Sequence, residues 1–207
     1  MTQRLRPNDA GRGPPERYLS AMRLIPLVLA LWAAPALADP EPYRLDAANS
    51  RVAFGYTLAG QPARGEMPVQ SADIVVDLEA PASTRVTAVL DPTRADAGLF
   101  LATEAMRGPQ VLDTAAHPTI TFATTRVRAD GFTAEIDGTI TIRGVTRPIT
   151  LDAQLFRQQG TDAGERDKLS IRMTGALSRT GFGADGFPDL VGDRITLDIL
   201  VRIDRVR

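Results

Sequence analysis

From Tyr43 to the end of the chain, apolar side chains fall on every second residue, and that period points to β-strands. The last run is the clearest. Ile195, Leu197, Ile199, Val201 and Ile203 share one face, and Thr196, Asp198, Arg202 and Asp204 share the other. Earlier runs repeat the pattern at Val52, Phe54, Tyr56 and Leu58, at Ile74, Val76 and Leu78, and at Val86, Ala88 and Leu90. It returns at Ile120 and Phe122, across 132–136, at Ile140 and Ile142, at 149–155 and at 169–173. Turn signals separate the runs, among them Ala129-Asp130-Gly131, Arg143-Gly144 and the glycine-rich stretch 181–186. Eight or more short, adjacent strands imply an antiparallel meander, which manages its edges by closing into a barrel or pairing as a sandwich. Only 93–106 reads as helix, with Thr93 as N-cap and Leu99, Ala102 and Met106 on one face.

The segment before this body has a different character. Met22 and Arg23 open an apolar run over 24–34, followed by Ala36-Leu37-Ala38 and then Asp39-Pro40. A positive start, an apolar stretch of about 10 residues and a small-x-small site are the three parts of a secretory signal. The run falls short of the ~20 residues a membrane-crossing helix needs. Residues 1–38 are therefore read as leader and cleaved signal peptide, with cleavage after Ala38, and 39–207 as one domain. Residues 1–21, polar and aperiodic, read as an extended leader or, in preference, as a start placed too early, with Met22 the true start. Removing five arginines and two acidic residues with that segment leaves 19 basic and 23 acidic residues, a net charge of -4. Scattered charge of that sign gives no footprint for nucleic acid. The mature chain contains no integral membrane span, and a homodimer is compatible with everything in it.

The chain has no cysteine and one histidine. Disulfides, thiolate metal sites and a cysteine nucleophile are excluded, and one histidine cannot build a His-rich zinc site. His117, followed by Pro118, reads as a turn residue after the helical segment. Ser50 and Ser178 sit at strand ends, outside any G-x-S-x-G elbow. Asp185, Asp189 and Asp193 lack calcium-loop spacing and read as solvated carboxylates. Arg143 and Arg147 bracket a hairpin turn, where they read as solvated arginines or as contacts for an anionic headgroup. The inventory identifies no catalytic residue, no metal ligand and no cofactor site. An eight-stranded barrel has room for packed side chains or for one small ligand, and alternation alone leaves both open.

Four segments then carry a resemblance. Tyr43-Arg44-Leu45-Asp46 with 49–54, the stretch 106–122 containing Val111-Leu112-Asp113 and His117-Pro118-Thr119, the run 138–151, and Ser178-Arg179-Thr180-Gly181 with Val191-Gly192-Asp193 occur in order. Together they resemble the YceI-like family of periplasmic, lipocalin-like polyisoprenoid-binding proteins. The resemblance implies an all-β, antiparallel, lipocalin-like barrel of eight or more strands with one short helical segment near its opening. It also implies a periplasmic, non-catalytic carrier whose lumen holds a long-chain isoprenoid quinone, a polyprenyl lipid or a similar amphiphile. Two departures fall near the implied opening. The stretch 58–67 lacks the family's usual histidine and Gly-x-Phe, and Ala102-Thr103 stand where family members commonly carry Arg-Asp. The residues expected to face the ligand are Val52, Phe54, Tyr56, Ile74, Val76, Ile120, Phe122, Ile140 and Ile142. Two other readings use the same barrel: a lipid-modifying hydrolase or isomerase, with Glu104 and Glu135 as carboxylate candidates, and a filled structural or stress protein acting through partner contacts.

Overall fold

In the computed structural model, residues 41–158, 162 and 165–206 are described. The leader and cleavage site lie outside them. Ten strands form: β1 Glu41–Leu45, β2 Arg51–Leu58, β3 Gln61–Met67, β4 Val69–Val76, β5 Arg85–Leu90, β6 Ile120–Asp130, β7 Thr133–Ile142, β8 Val145–Arg157, β9 Lys168–Ser178 and β10 Arg194–Arg205. Among the described residues one α-helix, α1, spans Phe100–Arg107 between β5 and β6.

Every pairing is antiparallel, as short connections between sequential strands require. The order β1-β4-β5-β6-β7-β8-β9-β10 closes through a β1–β10 pairing, giving an eight-stranded barrel. The remaining two strands form a hairpin that shares an edge of β10 with β1. β1 takes Ile203–Arg205 of that edge, and β2 takes Thr196–Leu200. The two ends of the barrel wall are therefore built differently.

At one end, which we call the base, Tyr43, Ile74, Val76, Leu169 and Ile203 are buried in one cluster, Ile203 completely. Asp77 caps the β4–β5 connection there, its carboxylate accepting from the amides of Glu79 and Ala80 and the Ser83 hydroxyl. At the other end a second cluster, which includes Ile120, Ile140, Ile142 and Phe182, lies beneath the mouth. The β7–β8 hairpin turns there on Arg143 and Gly144, with φ of 51° and 74°. Positive φ at both positions is what a two-residue turn needs to match strand twist.

The helix is shorter than its sequence pattern predicts. Thr93 lies in a 3₁₀ turn, Pro92–Arg94, where the Asp91 carboxylate accepts from its amide. The chain then runs extended, because Asp96 exchanges backbone hydrogen bonds with Glu66 at the edge of β3. Gly98 turns at a φ of 82°, and α1 begins only after Leu99.

A lumen at the mouth of the barrel

The strand faces that point inward at the mouth enclose a cavity of about 650 Å³. That lies within the ~300–1,000 Å³ range of small-molecule sites. Its walls include β2 (Val52, Phe54, Tyr56, Leu58), β7 (Ile140, Ile142), β10 (Ile195, Leu197) and one side of α1 (Ala102, Ala105, Met106). Among the described lining residues only Tyr56 and Arg179 carry polar side chains, and the protein itself engages both. The Tyr56 hydroxyl donates to the Ala97 carbonyl at 2.7 Å. Burial, and secondarily the Asp96 charge, push its ionisation above the ordinary phenol range.

Arg179 is buried, and its guanidinium donates to the carbonyls of Ala184, Gly186, Val191 and Gly192. One planar fork thereby gathers the loop between β9 and β10 into a rim. Asp193 completes the rim by accepting from the Thr180 amide. Hydrogen bonds from Thr180, side chain foremost, hold that carboxyl below the usual range.

The segment 95–98 closes the gap beside β3 as a strap. The Thr103 hydroxyl of α1 accepts from the Ala97 amide at 2.9 Å and donates to the Asp96 carboxylate at 3.0 Å. The Gly98 amide is the main cause, and Thr103 the next, of a depressed Asp96 pKa. Thr103 thus binds helix to strap, together with Arg107, whose guanidinium donates to the Ala95 carbonyl at 2.8 Å. Glycines in the strands allow close packing below. A Cβ on Gly65 would collide with the Phe54 ring and the Asp96 carbonyl.

Of the nine residues expected to face a ligand, Val52, Phe54, Tyr56, Ile120, Ile140 and Ile142 line this cavity. Ile74 and Val76 do not. They point inward on β4, but at the base, where Tyr43, Leu169 and Ile203 fill the interior. Phe122 also falls outside the lining. Its ring covers Gly138, where a Cβ would collide with it, and it packs against the cluster beneath the mouth. Alternation separates the two faces of a strand but carries no information about depth along the barrel axis. The residues of α1, together with Ile195 and Leu197, are legible in the sequence as apolar faces but not as walls of the same space.

The remaining candidates are structural neighbours of the mouth or lie apart from it. The Arg143 guanidinium donates to the carbonyls of Pro109 and Val111, both at 2.8 Å. Arg147 donates to the Gly181 carbonyl and lies 5.9 Å over the Phe182 ring. A Cβ on Gly144 would contact the His117 ring, so that histidine packs on the β7–β8 turn. Ser50 donates to the Asp46 carbonyl and accepts from the Arg202 amide. Glu104 pairs with Arg107 outside the lumen, and Glu135 pairs with Arg128 in the β6–β7 ladder. Among the described residues, no group of three His, Asp or Glu side chains could hold a metal ion. No helix among them is long and apolar enough to cross a membrane.

A model of the YceI-like domain matches residues 43–203, nearly the whole barrel. The chain belongs to the YceI-like family. Protein YceI of Escherichia coli O157:H7 is 31% identical over 131 residues, spanning 63% of this chain and 67% of that protein. Among solved structures, BcnA of Burkholderia cenocepacia superposes with a TM-score of 0.67 at 17% identity, covering 76% of this chain and 98% of that one. A polyisoprenoid binding domain from Saccharophagus degradans superposes at 0.60 with 13% identity, covering 80% and 99%. At these identities the two likenesses concern the fold, and the YceI-like barrel is common to all three.

Proposed function

We propose that this YceI-like protein is an exported, non-catalytic carrier that holds the hydrocarbon tail of an isoprenoid or similar amphiphilic lipid in the mouth half of its barrel. The observation that carries this reading is the cavity itself, walled almost wholly by apolar side chains above a filled base. Burying a methylene is worth about 0.8 kcal/mol, so a tail binds there without polar chemistry. The similarity to the Saccharophagus polyisoprenoid binding domain supports the same ligand class.

The chemistry also sets the orientation. Tyr56 and Arg179 are both engaged by backbone carbonyls, so the lumen offers a headgroup little to pair with, and an unpaired polar group would be penalised there. The tail enters first and the headgroup stays at the mouth. No carboxylate lines the cavity among the described residues, which favours carriage over hydrolysis or isomerisation. Export to the periplasm follows from the signal-like segment ending at Ala38.

The test is native mass spectrometry and lipid extraction on protein recovered from the periplasm of an expressing bacterium, with N-terminal sequencing. One hydrocarbon-tailed lipid per chain and an N-terminus at Asp39 are expected. Protein free of lipid that also fails to take up an isoprenoid quinone would overturn the carrier reading.

A further inference from the structure

Nine large hydrophobic residues are exposed among those described, and five of them rim the opening of the lumen. Leu99, Phe100 and Leu101, exposed by 57%, 77% and 79%, are the extended residue before α1 and its first two residues, and Phe187 and Leu190 lie in the loop gathered by Arg179. All five also line the cavity, so the apolar surface runs unbroken from lumen wall to outer lip. Leu99 is extended, and Phe100 and Leu101 then diverge by ~100° about the axis of α1. All three border the lumen with part of their surface and leave more than half of it to water, and contiguous apolar exposure of that kind marks an interaction surface.

The charges nearby narrow the occupant. Arg94 pairs with Asp91 and Arg107 with Glu104, while Arg143, Arg147 and Arg179 donate to backbone carbonyls. Arg64 and Arg194 are also exposed, but they alternate with the lining residues of β3 and β10 and so point away from the lumen; among the described residues the lip itself carries no cluster of cations to attract anionic headgroups. We propose that the lip formed by Leu99, Phe100, Leu101, Phe187 and Leu190 inserts into a lipid bilayer, so that a tail passes between membrane and lumen without crossing water. The proposal rests on the carrier reading for its purpose. Its driving force is apolar insertion, which makes it insensitive to salt and to anionic lipid.

The test is flotation of the mature protein with phosphatidylcholine vesicles, with and without phosphatidylglycerol, at low and high salt. Retention of an isoprenoid quinone is measured separately in solution. Wild type should float in every condition. Phe100→Ser with Leu101→Ser should lower the partition about tenfold for each side chain, the ratio given by ~1.4 kcal/mol, whereas Leu197→Ala, on the lumen wall and not on the lip, should weaken quinone retention and float as wild type does. Phe187→Ser with Leu190→Ser, on the other segment of the lip, should lower the partition likewise, which guards against one variant folding poorly.

Wild type that retains quinone but stays with the aqueous fraction would overturn the lip while sparing the carrier. Flotation unchanged in both double variants would also overturn it. So would flotation that depends on phosphatidylglycerol and collapses in salt. A dimer of wild type that dissolves in both variants, without flotation, would assign the lip to a second copy of the chain instead. Failure of wild type to retain quinone would strike the carrier reading.

Discussion

Ile203 and Leu197 lie on the same face of β10, six residues apart, yet they do different work. Ile203 is completely buried among Tyr43, Ile74 and Leu169, whereas Leu197 borders the lumen. Truncating a packed side chain removes contacts and leaves a cavity, so Ile203→Ala should cost about 2–5 kcal/mol. Leu197→Ala should cost the ligand-free protein far less, because the space beside it is already open, and should show instead as weaker lipid retention. Denaturant unfolding of delipidated variants separates the two. Arg179 makes a harder demand. Its guanidinium meets four carbonyls, and a lysine ammonium cannot reproduce that planar fork. Leaving buried acceptors unsatisfied costs about 1–3 kcal/mol for each group. Arg179→Lys should therefore release the rim loop, seen as faster amide exchange over residues 184–192 while the strands of the base stay protected.

Among the elements, the strap and α1 depend most on a single ionised group. Asp96 accepts from Gly98 and Thr103, and those bonds hold its pKa below the ordinary carboxylate value. A carboxyl whose pKa is lower folded than unfolded contributes its full stability above the unfolded value, ~3.9. That contribution disappears as pH falls through the folded value. The strap should hold at neutral and mildly acidic pH and loosen only below about pH 4. The Gly98 amide resonance reports this, and Asp96→Asn should flatten its acid titration. A loss of strap order already at neutral pH would contradict the assignment. Gly98→Ala should loosen the same strap at every pH, since the residue sits at a φ of 82° and a Cβ would meet the Arg64 carbonyl at 2.6 Å.

Legibility in the sequence divides along the same physical line. The barrel strands show in the alternation because each has one face in the interior. β3 does not show, since Gln61-Pro62-Ala63-Arg64-Gly65 has no apolar period and its far edge is met by a backbone bridge at Asp96. The helix starts later than its periodicity indicates for a related reason, because a tertiary hydrogen bond to Glu66 overrides the local preference of 93–99.

For the whole molecule, the decisive fact is that the barrel is neither a filled core nor an open tube. The base is packed and the mouth half holds the lumen, a division set by how β1 and β2 share the edge of β10. The depth available to a tail is bounded by the span of β2 from Leu58 down to Val52, roughly 20 Å at ~3.3 Å per residue. The Phe122 ring over Gly138 helps block the way below. Removing it should both destabilise the barrel and lengthen the tail it accepts, read by competition between quinones of different isoprenoid length.

The most direct measurement is native mass spectrometry of delipidated protein mixed with an isoprenoid quinone, run in parallel on wild type, Leu197→Trp and Ala105→Trp. Both substitutions place an indole inside the lumen from opposite kinds of wall, a strand and the helix. The account requires one quinone per wild-type chain, and a fall of roughly tenfold or more in occupancy, about 1.4 kcal/mol, in both filled variants while they remain folded. A wild-type chain that takes up no quinone would contradict it, as would filled variants that bind as well as wild type.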